Sequence, residues 1–269
     1  MTTWDFLASA WDWEPSVIAG SAVLVIAWFM WARPRVPLQT VSFSVAVALL
    51  FLDLVSPIDV LADRYLFSAH VVQHFLLALV IPPLLLLGTP RAPAQRLLRY
   101  AWASRIEKVL ARPAVAWSMG VVPMIVWHLP PLFNAALSSE AIHIFQHLSF
   151  LITGTIFWWP IAGPLSERRP GPLGAIAYLF TACTACSILG AAITFTPLGA
   201  YRAYYNSAAN SEILRLIRTG WGLDPQSDQQ LGGMLMWVPG CLVYLTAILA
   251  TVGRWYAAAE ATDRAEAAQ

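Results

Sequence analysis

Seven apolar stretches, each close to the length that crosses a bilayer, constrain this chain more than any other feature. A helix needs about 20 residues to cross roughly 30 Å of hydrocarbon. In lipid, backbone groups must be hydrogen-bonded within the protein, which favours helices. We therefore predict an all-α, polytopic membrane protein with seven transmembrane helices. The stretches lie near Val17–Trp31, Val36–Val55, His70–Gly88, Pro113–His128, His143–Ile161, Gly174–Pro197 and Leu231–Val252.

The composition agrees with a membrane protein. Of 269 residues, 58% are hydrophobic and only 12% are charged, whereas about a quarter are charged in soluble domains. The net charge of +1 gives no reason to expect a nucleic-acid partner, so membrane lipid is the expected surrounding. Residues 1–16 lack the basic start of a signal peptide and combine acidic side chains with tryptophans. We expect them to be an external segment at the membrane interface.

Basic residues fall in alternate connections between the stretches, which predicts the orientation. The intervening connections hold most of the acidic residues. We predict an external N-terminus, a transmembrane domain over 17–254 and a frayed cytoplasmic tail over 255–269. The basic residues of the predicted cytoplasmic connections are Arg33, Arg35, Arg91, Arg96, Arg99, Arg105, Lys108, Arg112, Arg168, Arg169 and Arg254.

A long connection, 199–230, precedes the last stretch and should be external. Four apolar residues recur within it in a pattern that suggests a short amphipathic helix, and we expect this helix to lie on the bilayer. They are Ile213, Leu214, Leu216 and Ile217.

All five histidines occur in three places, and the pattern His-x-x-Gln-His appears twice. The pairs are His70 with His74 and His143 with His147, while His128 stands alone. Residues four apart share one face of a helix, so each pair can present two imidazoles to one point. In the predicted topology all five lie towards the external ends of their helices, which favours a metal or haem site.

Two methionines of the last stretch, Met234 and Met236, reach the same predicted depth. Thioethers beside imidazoles favour copper, especially Cu(I), over magnesium or calcium, although methionines also fill gaps in apolar cores. Asp53 is a further candidate, because an ionisable residue inside a membrane usually has a partner.

Other interpretations of these residues have less support. A single histidine such as His128 is more often a helix-end hydrogen-bonding group than a ligand. The His-x-x-x-His spacing lacks the glutamate of zinc proteases, and desaturases use more histidines than this chain has. Haem held by one histidine from each pair is the strongest rival to copper. Cys183 and Cys186 share a helix face without a cationic neighbour, so we interpret them as small buried residues, and the role of Cys241 is open.

Several motifs follow one another along the chain. They are Ser56-Pro-Ile-Asp59, His70-x-x-Gln-His74 followed by Pro82-Pro83 and Gly88-Thr-Pro90, Trp127-His-Leu-Pro130, His143-x-x-Gln-His147 and Gly233-Met-Leu-Met-Trp-Val-Pro-Gly240. In this order they resemble the CtaG family of cytochrome c oxidase assembly factors. The resemblance covers roughly residues 56–254. It implies a bacterial plasma-membrane protein that helps to mature haem-copper oxidase, with copper handling as its expected role. A single-span copper chaperone shares the family's name but is unrelated, and nothing is carried over from it.

The sequence thus predicts a seven-helix bundle that binds copper for an oxidase subunit and catalyses no reaction. The expected metal-binding residues are His70, His74, His128, His143, His147, Met234 and Met236. The alternative is a metal-free or haem-binding membrane chaperone for oxidase subunits.

Overall fold

The computed structural model describes residues 1–32, 37–165, 169–204 and 211–267. Over these residues the fold is all-α, as predicted. The α-helices are α1 Thr3–Ser9, α2 Pro15–Ala32, α3 Pro37–Val55, α4 Pro57–Arg64, α5 Phe67–Phe75, α6 Ile81–Leu87, α7 Arg91–Leu97, α8 Ala101–Leu110, α9 Pro113–Trp127, α10 Pro130–Ser138, α11 Glu140–Ala162, α12 Pro172–Phe195, α13 Ser211–Arg215 and α14 Pro225–Ala267.

Short non-α turns occur at Leu76–Val80 and Leu216–Gly220, which are π-helical, and at Arg202–Tyr204, which is 3₁₀. Parts of the predicted segments lie outside the described residues. They are Arg33, Arg35, Val36 and Arg168, positions 205–210 of the connection 199–230 and positions 268–269 of the tail.

Five helical segments of the described chain are long and apolar enough to cross a membrane. They are α3, the continuous segment Phe67–Leu87, α11, α12 and α14. Helices α8 and α9 meet at a bend of 71° and make a sixth candidate if they form one span. The apolar part of α2, Pro15–Trp31, is shorter. The fold is therefore that of a membrane protein, whereas the number of seven spans and their orientation remain predictions.

The third predicted span is interrupted by the π-helical turn that joins α5 to α6. Pro82 and Pro83 follow this turn and have no backbone N–H to donate to the preceding turn. Helix α11 approaches closely there, since a Cβ placed on Gly154 would lie only 2.6 Å from the carbonyl oxygen of Ala78. The proline pair and the glycine together let α11 pack directly on the backbone of the broken segment.

The most extensive helix pair is α12 with α14. A Cβ on Gly190 would lie 2.8 Å from the carbonyl oxygen of Gly233, so the two backbones touch at this level. On the other side of the bundle, Trp28 of α2 stacks on Phe43 of α3 with ring centroids 4.5 Å apart. Trp28 Nε1 also donates to the carbonyl of Gly88, which ties α2 to the end of α6.

The connection 199–230 contains the predicted helix, but the expectation that it lies on the bilayer is wrong. Ile213 and Ile217 are buried in a small apolar cluster with Phe6 of α1 and with Tyr65 and Leu66. Leu214 and Leu216 pack against the same cluster. Protein, rather than lipid, therefore covers the apolar face of this segment.

The expectation of a frayed tail is also wrong for the described residues. Helix α14 continues without interruption from Pro225 to Ala267. The Ala- and Glu-rich composition after Arg254 favours helix, so the last apolar helix extends into a polar one.

Candidate metal centre

Three helices bring the five histidines together at one end of the bundle. His70 and His74 lie one turn apart on α5, His143 and His147 lie one turn apart on α11, and His128 directly follows α9. Ring centroids are 5.1 Å apart for His70 and His143, 5.7 Å for His74 and His147, and 5.0 Å for His74 and His128. The two His-x-x-Gln-His motifs therefore face each other, as their repeated spacing predicts.

Three of these imidazoles have the geometry of a metal-binding group. Ring nitrogens of His70, His74 and His147 all lie within 4.8 Å of one another, and all three side chains are buried. Imidazole nitrogens bind zinc-like ions at about 2.0–2.1 Å, so two nitrogens on one tetrahedral ion lie roughly 3.3 Å apart. Binding of one ion by all three would therefore require these side chains to rotate towards one another from their observed positions.

Several nitrogens of the cluster lack any hydrogen-bond partner among the described residues. They include both ring nitrogens of His70 and the Nε2 atoms of His74 and His147. A buried polar atom without a partner carries a cost of about 1–3 kcal/mol. A metal ion bound by these nitrogens would remove that cost, so the residues present fit a metal such as copper.

A chain of hydrogen bonds fixes the tautomer of His74. His128 Nδ1 lies 2.6 Å from the carbonyl oxygen of Met124, and a carbonyl can only accept, so Nδ1 carries the proton. His128 Nε2 is then an acceptor, and His74 Nδ1 donates to it over 3.2 Å. The remaining nitrogen of His74, Nε2, is left with its lone pair free. His128 thus orients His74 and has no free nitrogen of its own, in the manner of groups that support metal ligands.

His143 occupies the edge of the cluster and faces an acidic side chain. Its Nδ1 lies 3.5 Å from Asp63 Oδ1, and its ring centroid lies 4.1 Å from that of His147. Its Nε2 has no hydrogen-bond partner among the described residues. A carboxylate beside one imidazole nitrogen favours metal binding through the other, which makes His143 a candidate fourth ligand.

Aromatic side chains close the space around the imidazoles. Phe150 lies 4.4 Å from His74 and Phe133 lies 4.9 Å from His70, between ring centroids. Tyr201 donates to the carbonyl of His128 and Tyr204 to that of Ala62, and these hydrogen bonds hold the 3₁₀ turn against the cluster.

The spacing of the imidazoles bears on haem binding. Centroids of neighbouring imidazoles are 4.1–5.8 Å apart, which is too close for a porphyrin plane to lie between them. The enclosure fits a single ion better than haem.

The glutamines of the two motifs are buried but differ in their contacts. Gln73 Nε2 donates to the carbonyl of Asp53 and to Asp59 Oδ1, so it joins α5 to α3 and α4. Gln146 is fully buried, and neither of its amide atoms has a partner among the described residues. Asp53, singled out from the sequence, is also buried, and its carboxylate oxygens have no hydrogen-bond partner in the described part of the chain.

Two carboxylates of α4 lie beside this network. Burial raises the pKa of Asp59 to about 7, and the nearby carboxylates of Asp63, Asp12 and Glu14 act in the same direction while the Gln73 hydrogen bond opposes them. Burial raises the pKa of Asp63 to about 6, against the lowering effect of Arg64. Near neutral pH both groups can therefore exchange a proton next to the histidines.

The N-terminus of α5 is capped from another part of the chain. Asp228, in the first turn of α14, accepts hydrogen bonds from the backbone N–H groups of Phe67 and Ser68 at 2.8 and 3.0 Å. Nearby, a Cβ on Gly232 would lie 2.5 Å from the ring of Phe67. Helix α14 therefore holds the helix that carries His70 and His74 without contributing an imidazole.

The chain matches a known protein family over most of its length. Residues 22–258 match the model of the cytochrome c oxidase caa3 assembly factor family, known as CtaG. The chain belongs to the CtaG family. The match covers most of the chain and confirms the resemblance seen in the motifs.

Curated relatives of this CtaG-family chain occur in mycobacteria. Uncharacterized proteins of Mycobacterium bovis and Mycobacterium tuberculosis are each 28% identical over 207 residues, and one of Mycobacterium leprae is equally similar. The alignments cover 71% of this chain, and the chain spans only about 30% of the length of these relatives. No solved structure matches the chain significantly.

The five predicted histidines form one cluster through ring contacts. The two predicted methionines lie on α14, which carries no histidine. Met234 is half-exposed, and Met236 is buried in the apolar core, with its carbonyl accepting from Cys186. Cys183 contacts Cys241 rather than Cys186, with the two sulfurs 3.2 Å apart.

Sequence reasoning missed the groups that support the histidines. These groups come from other helices and loops and belong to no recognisable motif. They are Asp63, Asp228, Tyr201 and Tyr204. Only Asp63 could have been found from the sequence, because it lies one helical turn after Asp59 of the Ser56-Pro-Ile-Asp59 motif.

Proposed function

We propose that this protein holds a copper ion at the histidine cluster for delivery to a haem-copper cytochrome c oxidase. The observation that supports this most directly is the buried group of His70, His74 and His147, whose ring nitrogens lie within 4.8 Å of one another. The chain belongs to a family of cytochrome c oxidase assembly factors, which supports an oxidase as the recipient of the metal. Copper is cargo in this proposal, and the protein catalyses no reaction.

Neutral imidazoles are good ligands for Cu(I). The number of imidazoles that bind the ion and their burial should determine the affinity. His70, His74 and His147 are the proposed ligands, with His143 as the fourth. His128 fixes the tautomer of His74. Protons compete with the ion for the same nitrogens, so affinity should fall with decreasing pH. Met234 and Met236 remain proposed helpers in release, as sulfur ligands for the departing ion.

The proposed location is the bacterial plasma membrane, which the protein crosses several times with the histidine cluster near the external side. The positive-inside rule supports this orientation. The histidines lie where α5 begins and α9 ends, whereas six basic residues lie between the end of α6 and the start of α9. Those basic residues, at the opposite end of the bundle, are Arg91, Arg96, Arg99, Arg105, Lys108 and Arg112.

The proposed partner is an oxidase subunit that receives copper by ligand exchange. The alternative is a membrane chaperone that binds an oxidase subunit without carrying metal. In that case the histidines only orient helices. Haem binding is disfavoured by the contact between the imidazole rings.

The test is the copper content and activity of oxidase in cells that express His70→Ala/His74→Ala in place of the native protein. We expect oxidase protein to accumulate with reduced copper and activity. A matched control is Leu148→Ala, because Leu148 follows His147 on α11 but is half-exposed. Normal oxidase copper in the double variant, at normal levels of that variant in the membrane, would exclude the copper proposal in favour of the metal-free chaperone.

A further inference from the structure

Two thiols meet across the interface between α12 and α14, neither of which carries a histidine. Cys183 Sγ and Cys241 Sγ are 3.2 Å apart, and both are free cysteines. Ser187, one turn further along α12, places its hydroxyl 3.2 Å from Cys241 Sγ. The two cysteines are 58 residues apart in sequence, so only the packing of the two helices brings them together.

Close packing of α12 on α14 holds this pair in place. A Cβ on Gly240, the residue before Cys241, would lie 3.2 Å from Cys186 Sγ, and the contact between Gly190 and Gly233 lies on the same interface. The third thiol is engaged elsewhere, because Cys186 Sγ donates to the carbonyl of Met236. Cys183 and Cys241 are thus a pair, separate from Cys186.

The surroundings of the two sulfurs favour a covalent bond over a shared metal ion. Among the described residues, the group of three or more histidine, cysteine or carboxylate ligands close enough for one ion is formed by histidines and does not include these cysteines. A disulfide needs the sulfurs to approach from 3.2 Å to about 2.05 Å, which changes in side-chain rotation can provide.

We propose that Cys183 and Cys241 form a reversible disulfide between α12 and α14, with a lipid-soluble quinone as the oxidant. Both side chains are half-buried and lie near the middle of apolar helices, so reactants reach them through the hydrocarbon. The two S–H bonds break and one S–S bond forms. Two electrons and two protons pass to the quinone, which becomes a quinol. The bond fixes α14 to α12, and α14 also caps α5 through Asp228.

The experiment uses the whole 269-residue chain in lipid nanodiscs, treated with decylubiquinone and then labelled with a maleimide. Without quinone all three cysteines should be available under denaturing conditions, giving three labels per chain. With quinone we expect one label per chain and a Cys183–Cys241 linked peptide by mass spectrometry. A thiol reductant should restore three labels.

Variants that replace one cysteine at a time identify the two cysteines that form the disulfide. Cys186→Ser should retain the linked peptide, whereas Cys183→Ser and Cys241→Ser should each keep both remaining labels after quinone treatment. Size-exclusion profiles that match the native protein confirm that the variants fold. Three labels after quinone treatment of the native protein, a link that involves Cys186, or linkage by oxidised glutathione but not by the quinone would overturn the proposal.

Discussion

At the scale of single residues, His128 and His147 are expected to serve the metal in different ways. His147 presents an unpartnered Nε2 to the cluster, whereas both nitrogens of His128 are engaged. We predict that His147→Ala abolishes stable copper binding. His128→Phe should weaken it by about 10–100-fold, the usual effect of losing a group that orients a ligand. Competition with a chromogenic Cu(I) chelator measures the copper affinity of both variants.

The control for this comparison is again Leu148→Ala, which should bind like the native protein. Equal, complete loss in His128→Phe and His147→Ala would make His128 a direct ligand. Unchanged affinity in His128→Phe would show that the hydrogen bond from His74 is unimportant.

Asp59 should make stability depend on pH. Its pKa is about 7 in the folded protein against an ordinary 3.8, chiefly because it is buried. The folded state therefore binds this proton between those values while the unfolded state has lost it. The resulting stabilisation is present at low pH and disappears as pH rises from about 4 to 7. Asp59→Asn should reduce the fall in the thermal unfolding midpoint between pH 5 and 8. An unchanged pH profile would contradict this assignment.

The five histidines could be predicted from sequence because a repeated four-residue spacing places side chains on one helix face. Their individual roles could not. The carbonyl of Met124 decides that His128 supports His74 and is not itself a ligand. The contact with Asp63 from α4 decides which nitrogen of His143 is free. Such contacts join distant parts of the chain and leave no local pattern.

At the scale of helices, Asp228 should stabilise α5 from outside it. Removing a carboxylate that caps a helix costs about 0.5–2 kcal/mol, and here two buried N–H groups would lose their partner. We predict that Asp228→Ala lowers the thermal unfolding midpoint and weakens copper binding, because α5 carries His70 and His74. Gln230→Ala, exposed on the same helix, is the control. Equal behaviour of the two variants would contradict the capping role.

The contact between α11 and the broken segment Phe67–Leu87 gives a second prediction at this scale. Gly154→Val would force a side chain against the carbonyl of Ala78, and overpacking of this kind costs about 1–3 kcal/mol. The midpoint of thermal unfolding should fall. Gly20→Ala on α2 is a control, because nothing lies within 4 Å of its added Cβ. A Gly154→Val variant as stable as the native protein would mean that the helices can separate there.

Helix positions were predictable because apolar length and proline or glycine breaks are local properties. The residues that surround each helix were harder to predict, because they come from distant parts of the sequence. Ile213 and Ile217 form the predicted apolar face, yet Phe6, more than 200 residues away, covers it. The thiol pair was missed for the same reason, since Cys183 and Cys186 are close in sequence whereas Cys241 comes from α14.

At the scale of the whole molecule, the fold places the histidine cluster and the largest group of basic residues at opposite ends of the bundle. The imidazoles collect at one end of the bundle under Tyr201 and Tyr204, while the basic connection between α6 and α9 lies at the other end. Such polarity suits a membrane protein that handles a cation on one side only.

The most direct measurement is metal analysis with X-ray absorption on protein purified in mild detergent and loaded with Cu(I). The comparison is a variant in which His70, His74, His143 and His147 are replaced by alanine. We predict about one copper per chain with nitrogen scatterers in the native protein and none in a folded variant. Absence of retained copper in the native protein, or equal retention by the variant, would contradict copper binding at this cluster.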